Sequence, residues 1–207
     1  MGKVKIKKND VWIDMTPMSD VMVLLLTFFM LTSTFVKNDP VKVNTPGSVT
    51  EAKVPTADVL NITVDPNGKV FMSMDKVTDL EATLSTMTDK FGIQLSKEQT
   101  KKFKEDAQFG APMDKLTAYL SLPRQKMADG LKMLGIPTDS IMAGGKKDMS
   151  EFQLWVKSAK EVNPDLKLCI KADQKTSYKA VKTVMSELQD MNENRYQLLT
   201  SYKKAEE

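Results

Sequence analysis

The sixteen residues from Val21 to Val36, VMVLLLTFFMLTSTFV, carry no charge, and they set the first limit on what this 207-residue chain can fold into. Extended back through Met15, Thr16, Pro17, Met18 and Ser19, with Asp20 as the one acid, the stretch has about 22 residues. As a helix it measures roughly 33 Å, enough to cross a bilayer. Lys3, Lys5, Lys7 and Lys8 precede it, and Lys37, Asp39 and Lys42 follow. Cationic flanks stay on the cytoplasmic side, so the N-terminus is expected in the cytoplasm and the rest of the chain beyond the membrane. The alternative is a cleavable leader. Against it stand an acid at the head of the apolar run and the lack of a small-residue cleavage pattern after Phe35.

An ionised carboxylate in hydrocarbon costs about 2.5 to 3.5 kcal/mol on insertion scales, so Asp20 is by default a functional residue. On a helix Thr16, Asp20, Thr27 and Thr34 fall on nearly one stripe among Leu, Phe, Val and Met. Such a stripe asks for a protein or water partner. The plainer account is an interfacial Asp with threonine hydroxyls bonded to carbonyls of their own helix, and for the threonines alone it is the better one. Pro17 suits the first turn, where its missing N–H has no helical acceptor anyway.

Composition removes other chemistries. There is no histidine, and Cys169 is the single cysteine, which excludes histidine-based triads and paired-cysteine metal sites. No catalytic residue, metal site or cofactor is expected. The net charge of +3 is small and scattered, so nucleic acid is not an expected partner.

The segment IDMTPMSDVMVLLLTFFMLTSTF, Ile13 to Phe35, resembles the membrane signature of the ExbD/TolR family of proton-channel subunits. Thr16, Pro17, Asp20, Val21, Leu25, Leu26, Phe29 and Met30 match it, and Asp14 stands where the family usually has Asn. The resemblance implies that Asp20 carries protons against an ExbB-like multispanning channel subunit. It further implies a homodimer inside the partner ring, and work on a TonB-like protein for outer-membrane transport or a TolR-like envelope task. The class is a non-enzymatic inner-membrane motor subunit with its C-terminal domain in the periplasm. A membrane-tethered binding module, with the helix as a simple anchor in the lipid bilayer, is the rival.

Residues 37–58 are rich in Pro, Thr, Ser and Gly and read as an extended linker. Within it Val41, Val43, Asn44 and Pro46 resemble the short family stretch that docks near the channel mouth. The domain expected over 59–207 opens with a hairpin: Leu60, Ile62 and Val64 alternate before Asp65-Pro66-Asn67-Gly68, and Val70, Met72 and Met74 alternate after it. A helix near Ser150 to Val162 presents Phe152, Trp155, Val156 and Ala159. A half-buried strand at Leu166 to Asp173 follows, then a helix through Val181, Val184, Met185, Leu188 and Met191, and a last strand RYQLLTSY. The fold class is therefore one N-terminal membrane helix, residues 15–36 after a cytoplasmic 1–14, plus a small α+β domain in the order β-β-α-β-α-β. The family's periplasmic module, which pairs in two copies, resembles the same segments. Cys169 shares its strand face with Lys167 and Lys171 and is expected to be a partly accessible thiol.

The stretch from about 79 to 147 is an insertion relative to that family. Thr78-x-x-Glu81 and Ser96-x-x-Gln99 read as capping boxes, and Leu80, Leu84, Met87 and Phe91 give an apolar helical face ending at Gly92. Further helices are expected around Lys97 to Ala107, Asp114 to Leu120 and Gln125 to Leu134. The insertion either enlarges the core or offers a docking surface.

Overall fold

The computed structural model describes residues 16–32, 40–48, 55, 57–138, 140–143 and 146–202. The chain divides into two units, residues 1–36 and 37–207. In the first, α1 runs Thr16–Thr32, with Pro17 in its first turn and no buried side chain. Its 17 residues amount to roughly 25 Å. Among the described residues, no helix is long and apolar enough to cross a membrane. The ends of the expected span, Met15 and 33–36, lie outside the described residues, as do 1–14.

The second unit contains, in order, β1 (Gly47–Ser48), β2 (Val59–Val64), β3 (Val70–Met74), α2 (Val77–Phe91), α3 (Lys97–Glu105), α4 (Met113–Leu120) and α5 (Arg124–Met133). It continues with β4 (Ser140–Ala143), β5 (Lys146–Ser150), α6 (Glu151–Val162), β6 (Lys167–Ala172), α7 (Tyr178–Asp190), β7 (Tyr196–Leu199) and β8 (Ser201–Tyr202). β2, β3, β6 and β7 form one sheet in the order β3-β2-β6-β7. The hairpin is antiparallel with Ile62 opposite Met72, whereas β6 runs parallel to both β2 and β7. This is the expected β-β-α-β-α-β core, with the hairpin turned at Gly68, whose φ of 79° suits glycine. The last strand departs from expectation: it breaks at Thr200, and β8 leaves the sheet to pair in parallel with β1.

One face of the sheet, carrying Leu60, Ile62, Val64, Met72, Leu168 and Ile170, is sealed by apolar side chains including Phe152, Val156, Val184 and Leu188. The insertion helices join this same core. Leu80, Leu84 and Met87 of α2 are buried in it, as are Phe103 of α3, Leu116 of α4 and Leu131 of α5. Phe103 stacks on Trp155 of α6 with ring centroids 6.3 Å apart, and Phe109 sits 4.8 Å from the same indole. Insertion backbone also covers the outer edge of β3: Phe109 and Met72 exchange two N–H···O bonds of 2.8 Å, and the Ile136 N–H donates to the Val70 carbonyl. The helices of this stretch are therefore part of the domain's core.

Local chemistry explains the helix limits. The Ser96 and Ser150 capping boxes form, each closed by a Gln three residues on. The Thr78 box does not. α2 already begins at Val77 with Lys76 as its cap, so Thr78 lies inside the helix and its hydroxyl bonds to Asp79. Gly92 closes α2 in the left-handed conformation, φ 66°.

Candidate functional site

In the first unit Asp20 projects from the second turn of a helix whose apolar side chains are all open, from Leu25 at 52% exposure to Leu31 at 86%. It is the only ionisable side chain between Thr16 and Thr32. Helical spacing puts Thr16 and Thr27 on its stripe. The Thr27 hydroxyl donates to the Leu24 carbonyl at 2.9 Å, and Thr32 donates to Phe28 at 2.8 Å, so both are satisfied within their own helix. Thr34 lies outside the described residues.

In the second unit, residues 40–48 lie along the domain as a strap fixed at three points. The Val41 N–H donates to Gln108 Oε1 at 3.1 Å, and Gln108 Nε2 donates back to the Val41 carbonyl at 3.3 Å. The Asn44 N–H then donates to Asp173 Oδ2, and the Gln174 N–H donates to the Asn44 carbonyl, both at 2.8 Å. Last, the Pro46 carbonyl accepts from the Ser201 N–H at 3.0 Å, where β1 meets β8. Val41 is buried and Val43 packs against the core. Val41, Val43, Asn44 and Pro46 are thus brought together on the domain, on partners the sequence did not announce. Asp173 had a weak signal, since an Asp two residues before Lys175 in a polar turn invites an Asx bond to that N–H, which forms at 2.9 Å. Nothing local marks Gln108.

Electrostatics separates these groups. Backbone N–H groups of Lys175 and Asn44 hold the Asp173 carboxyl below the ordinary carboxylate value. Cys169, expected to be partly accessible, is instead fully buried. It sits on the central strand β6 between Asn61 and Gln197, and neighbouring strands on both sides shield a side chain too short to reach past them. Burial pushes its thiol up. The flanking Lys167 and Lys171 escape because their stems carry the charge out to water.

A cleft of about 540 Å³ at the start of β6 and β7 is lined by Lys160, Lys167, Arg195 and Tyr196 among others. Among the described residues no group of three or more metal-ligating side chains occurs.

Neither the comparison with curated proteins nor that with solved structures returns a match. The family model described as "Biopolymer transport protein ExbD/TolR" matches two overlapping stretches, residues 7–119 and 84–203. Together they take in α1 with Asp20, the strap, the insertion and the sheet. The chain therefore belongs to the ExbD/TolR family of biopolymer transport proteins.

Proposed function

We propose that the chain is a subunit of an inner-membrane motor in which Asp20 carries protons alongside an ExbB-like multispanning partner. The observation that carries this reading is a single ionisable side chain on a helix whose every apolar side chain is open. Such a helix needs lipid or protein around it, and an acid there needs a partner or a proton. In this reading residues 15–36 span the bilayer, the lysine-rich 1–14 stay in the cytoplasm, and the folded domain, with the strap 40–48 docked on it rather than free as a linker, stands in the periplasm.

In this reading Asp20 takes up a proton facing one neighbour and releases it facing another, as the helix changes the surface it presents. One charge crossing 100 mV supplies about 2.3 kcal/mol, enough to bias states a few RT apart. Two copies of the chain within one partner ring would let one helix load while the other releases. The work is delivered to a TonB-like protein for outer-membrane transport. Thr16 and Thr27 line the polar stripe with Thr34, and Pro17 sets the helix start. Val41, Val43, Asn44 and Pro46 form the segment nearest the channel mouth.

The test is Asp20→Asn, which keeps size and hydrogen bonding but cannot titrate. At matched protein levels it should copurify with the multispanning partner and abolish proton-driven uptake across the outer membrane. Asp20→Glu, one methylene longer, should retain at most partial activity, since the carboxylate must meet its partner at hydrogen-bond distance. Wild-type uptake by Asp20→Asn would leave only an anchor. Loss of envelope integrity with uptake intact would point to the TolR-like task.

A further inference from the structure

The two edges of the four-stranded sheet are finished differently. Along β3, Phe109 before α4 and Ile136 after α5 bridge to Met72 and Val70, so the chain covers that edge itself. At the other edge, β7 pairs with β6 alone among the described residues, and β8 turns away to join β1. Exposed edges are ordinarily blunted by charge, proline or a covering element. Tyr196–Leu199 has neither charge nor proline, and Leu198 is 50% exposed. Tyr196 and Leu198 stand opposite Leu168 and Ile170, so the apolar face of the sheet runs out to this edge and stops there.

The head of the same edge is cationic. The cleft of about 540 Å³ there is lined by Lys160, Lys167 and Arg195, with Asp165 as its one acid. Lys160 is paired with Glu193 at 2.9 Å, whereas neither Lys167 nor Arg195 forms an ion pair among the described residues. Lys167 and Arg195 directly precede the register partners Leu168 and Tyr196, on neighbouring strands roughly 4.8 Å apart. Tyr196 and Gln197 belong both to the cleft and to β7, so the cations and the open backbone are contiguous.

We propose that β7 and this cleft form one docking site for an extended acidic segment of a partner protein, which adds as a fifth strand along β7 and sets a carboxylate beside Lys167 and Arg195. In strand addition, main-chain hydrogen bonds give affinity and the sites for alternate side chains give specificity. Alternation puts the acid on the face of Lys167 and Arg195, and apolar residues on the opposite face, where they cover Leu198. A second copy of this chain answers the charge poorly. Its own edge, RYQLLTSY, holds Arg195 and no acid, so self-pairing would leave both clefts without a carboxylate. The proposal rests on sheet and cleft and is independent of Asp20.

The test titrates the full chain, in nanodiscs of neutral phosphatidylcholine, with short synthetic peptides that alternate valine and threonine and carry glutamate at the first or the last position. One of the two, running parallel or antiparallel to β7, should bind and slow exchange of the β7 amides that face away from β6. Lysine in place of glutamate, or N-methylation along the peptide backbone, should abolish this. Lys167→Glu together with Arg195→Glu should weaken the glutamate peptide by about tenfold or more, with protection at Ile62 and Ile170 reporting an intact sheet. Should that variant fail to fold, the wild type decides through weaker binding at high salt. The proposal is overturned if neither glutamate peptide binds, if lysine peptides bind equally, or if the N-methylated peptide still binds. Protection of the outward β7 amides that rises with protein concentration and needs no peptide also overturns it, since a second copy then holds the edge.

Discussion

Gln108 and Val41, 67 residues apart, pair in both directions: the amide side chain of one accepts the N–H and donates to the C=O of the other, and both residues are buried. The pair joins the insertion to the strap. Gln108→Ala would leave two buried backbone groups without partners, at about 1–3 kcal/mol for each group that water cannot reach. The Val41 amide should then exchange markedly faster while Ile62 and Ile170 in the sheet keep their protection. Unchanged exchange at Val41 would show that the strap is held by Asn44 and β1 alone.

Asp173 fixes the strap's second point and makes it sensitive to acid. Its carboxyl is held below the ordinary 3.8 by N–H donors, so the stability it lends is full above that value and is lost as pH falls through the depressed one. As pH falls below 3.8 and on through the depressed value, the Asn44 amide should exchange progressively faster relative to its intrinsic rate. Asp173→Asn should abolish that acid step and weaken protection of Asn44 at neutral pH. The measurement is amide exchange by NMR across the acid range.

Phe103 tests whether the insertion is core. Its ring is buried against Phe109 and Trp155, with centroid separations of 5.3 and 6.3 Å. Phe103→Ala should cost about 3–5 kcal/mol in chemical denaturation, the range for a buried aromatic. Both helices and sheet should unfold together, because α2, α3 and α6 share one cluster. Replacing 79–147 by a short linker should likewise expose Trp155 and Phe152 and fail to give a folded domain. A separate early transition for the insertion would contradict this.

Cys169 should resist modification. A thiol without exposure on a central strand, with its pKa raised by burial, presents little thiolate until the sheet opens. Labelling by a bulky maleimide should be at least about 100-fold slower in the folded chain than in denaturant, since native domains open only about one time in a thousand or less.

Legibility in the sequence followed the range of the interactions. The β2–β3 hairpin, the Ser96 cap and the Gly92 stop could be read because each depends on residues within a few positions; the Ser150 box, equally local, went unread. The start of α2 could not, since Val77 and Lys76 carry no capping side chain and Thr78 offered a false one. The β1–β8 pairing, the Phe109 and Ile136 backbone on the β3 edge, and the hold of Gln108 on Val41 join residues far apart, and no local pattern marks them. Cys169 was misjudged because alternation along a strand says which face a residue takes and nothing about what covers that face. Asp20 stood out because a lone acid in an apolar run is conspicuous whatever surrounds it.

The parallel pairing of β2 with β6 governs how the domain assembles. Closing that pair requires meeting across about 100 residues of chain, whereas without the insertion the span would be about a third as long. Loop closure grows only with the logarithm of length, so the added thermodynamic cost is roughly 1 kcal/mol. The kinetic cost is larger, since distant pairings slow the search. α2 to α5, each built from neighbours in sequence, can form before the sheet closes. Collapsing onto one another, they shorten the effective distance between the two strands, so that the insertion which lengthens the path also folds much of it away.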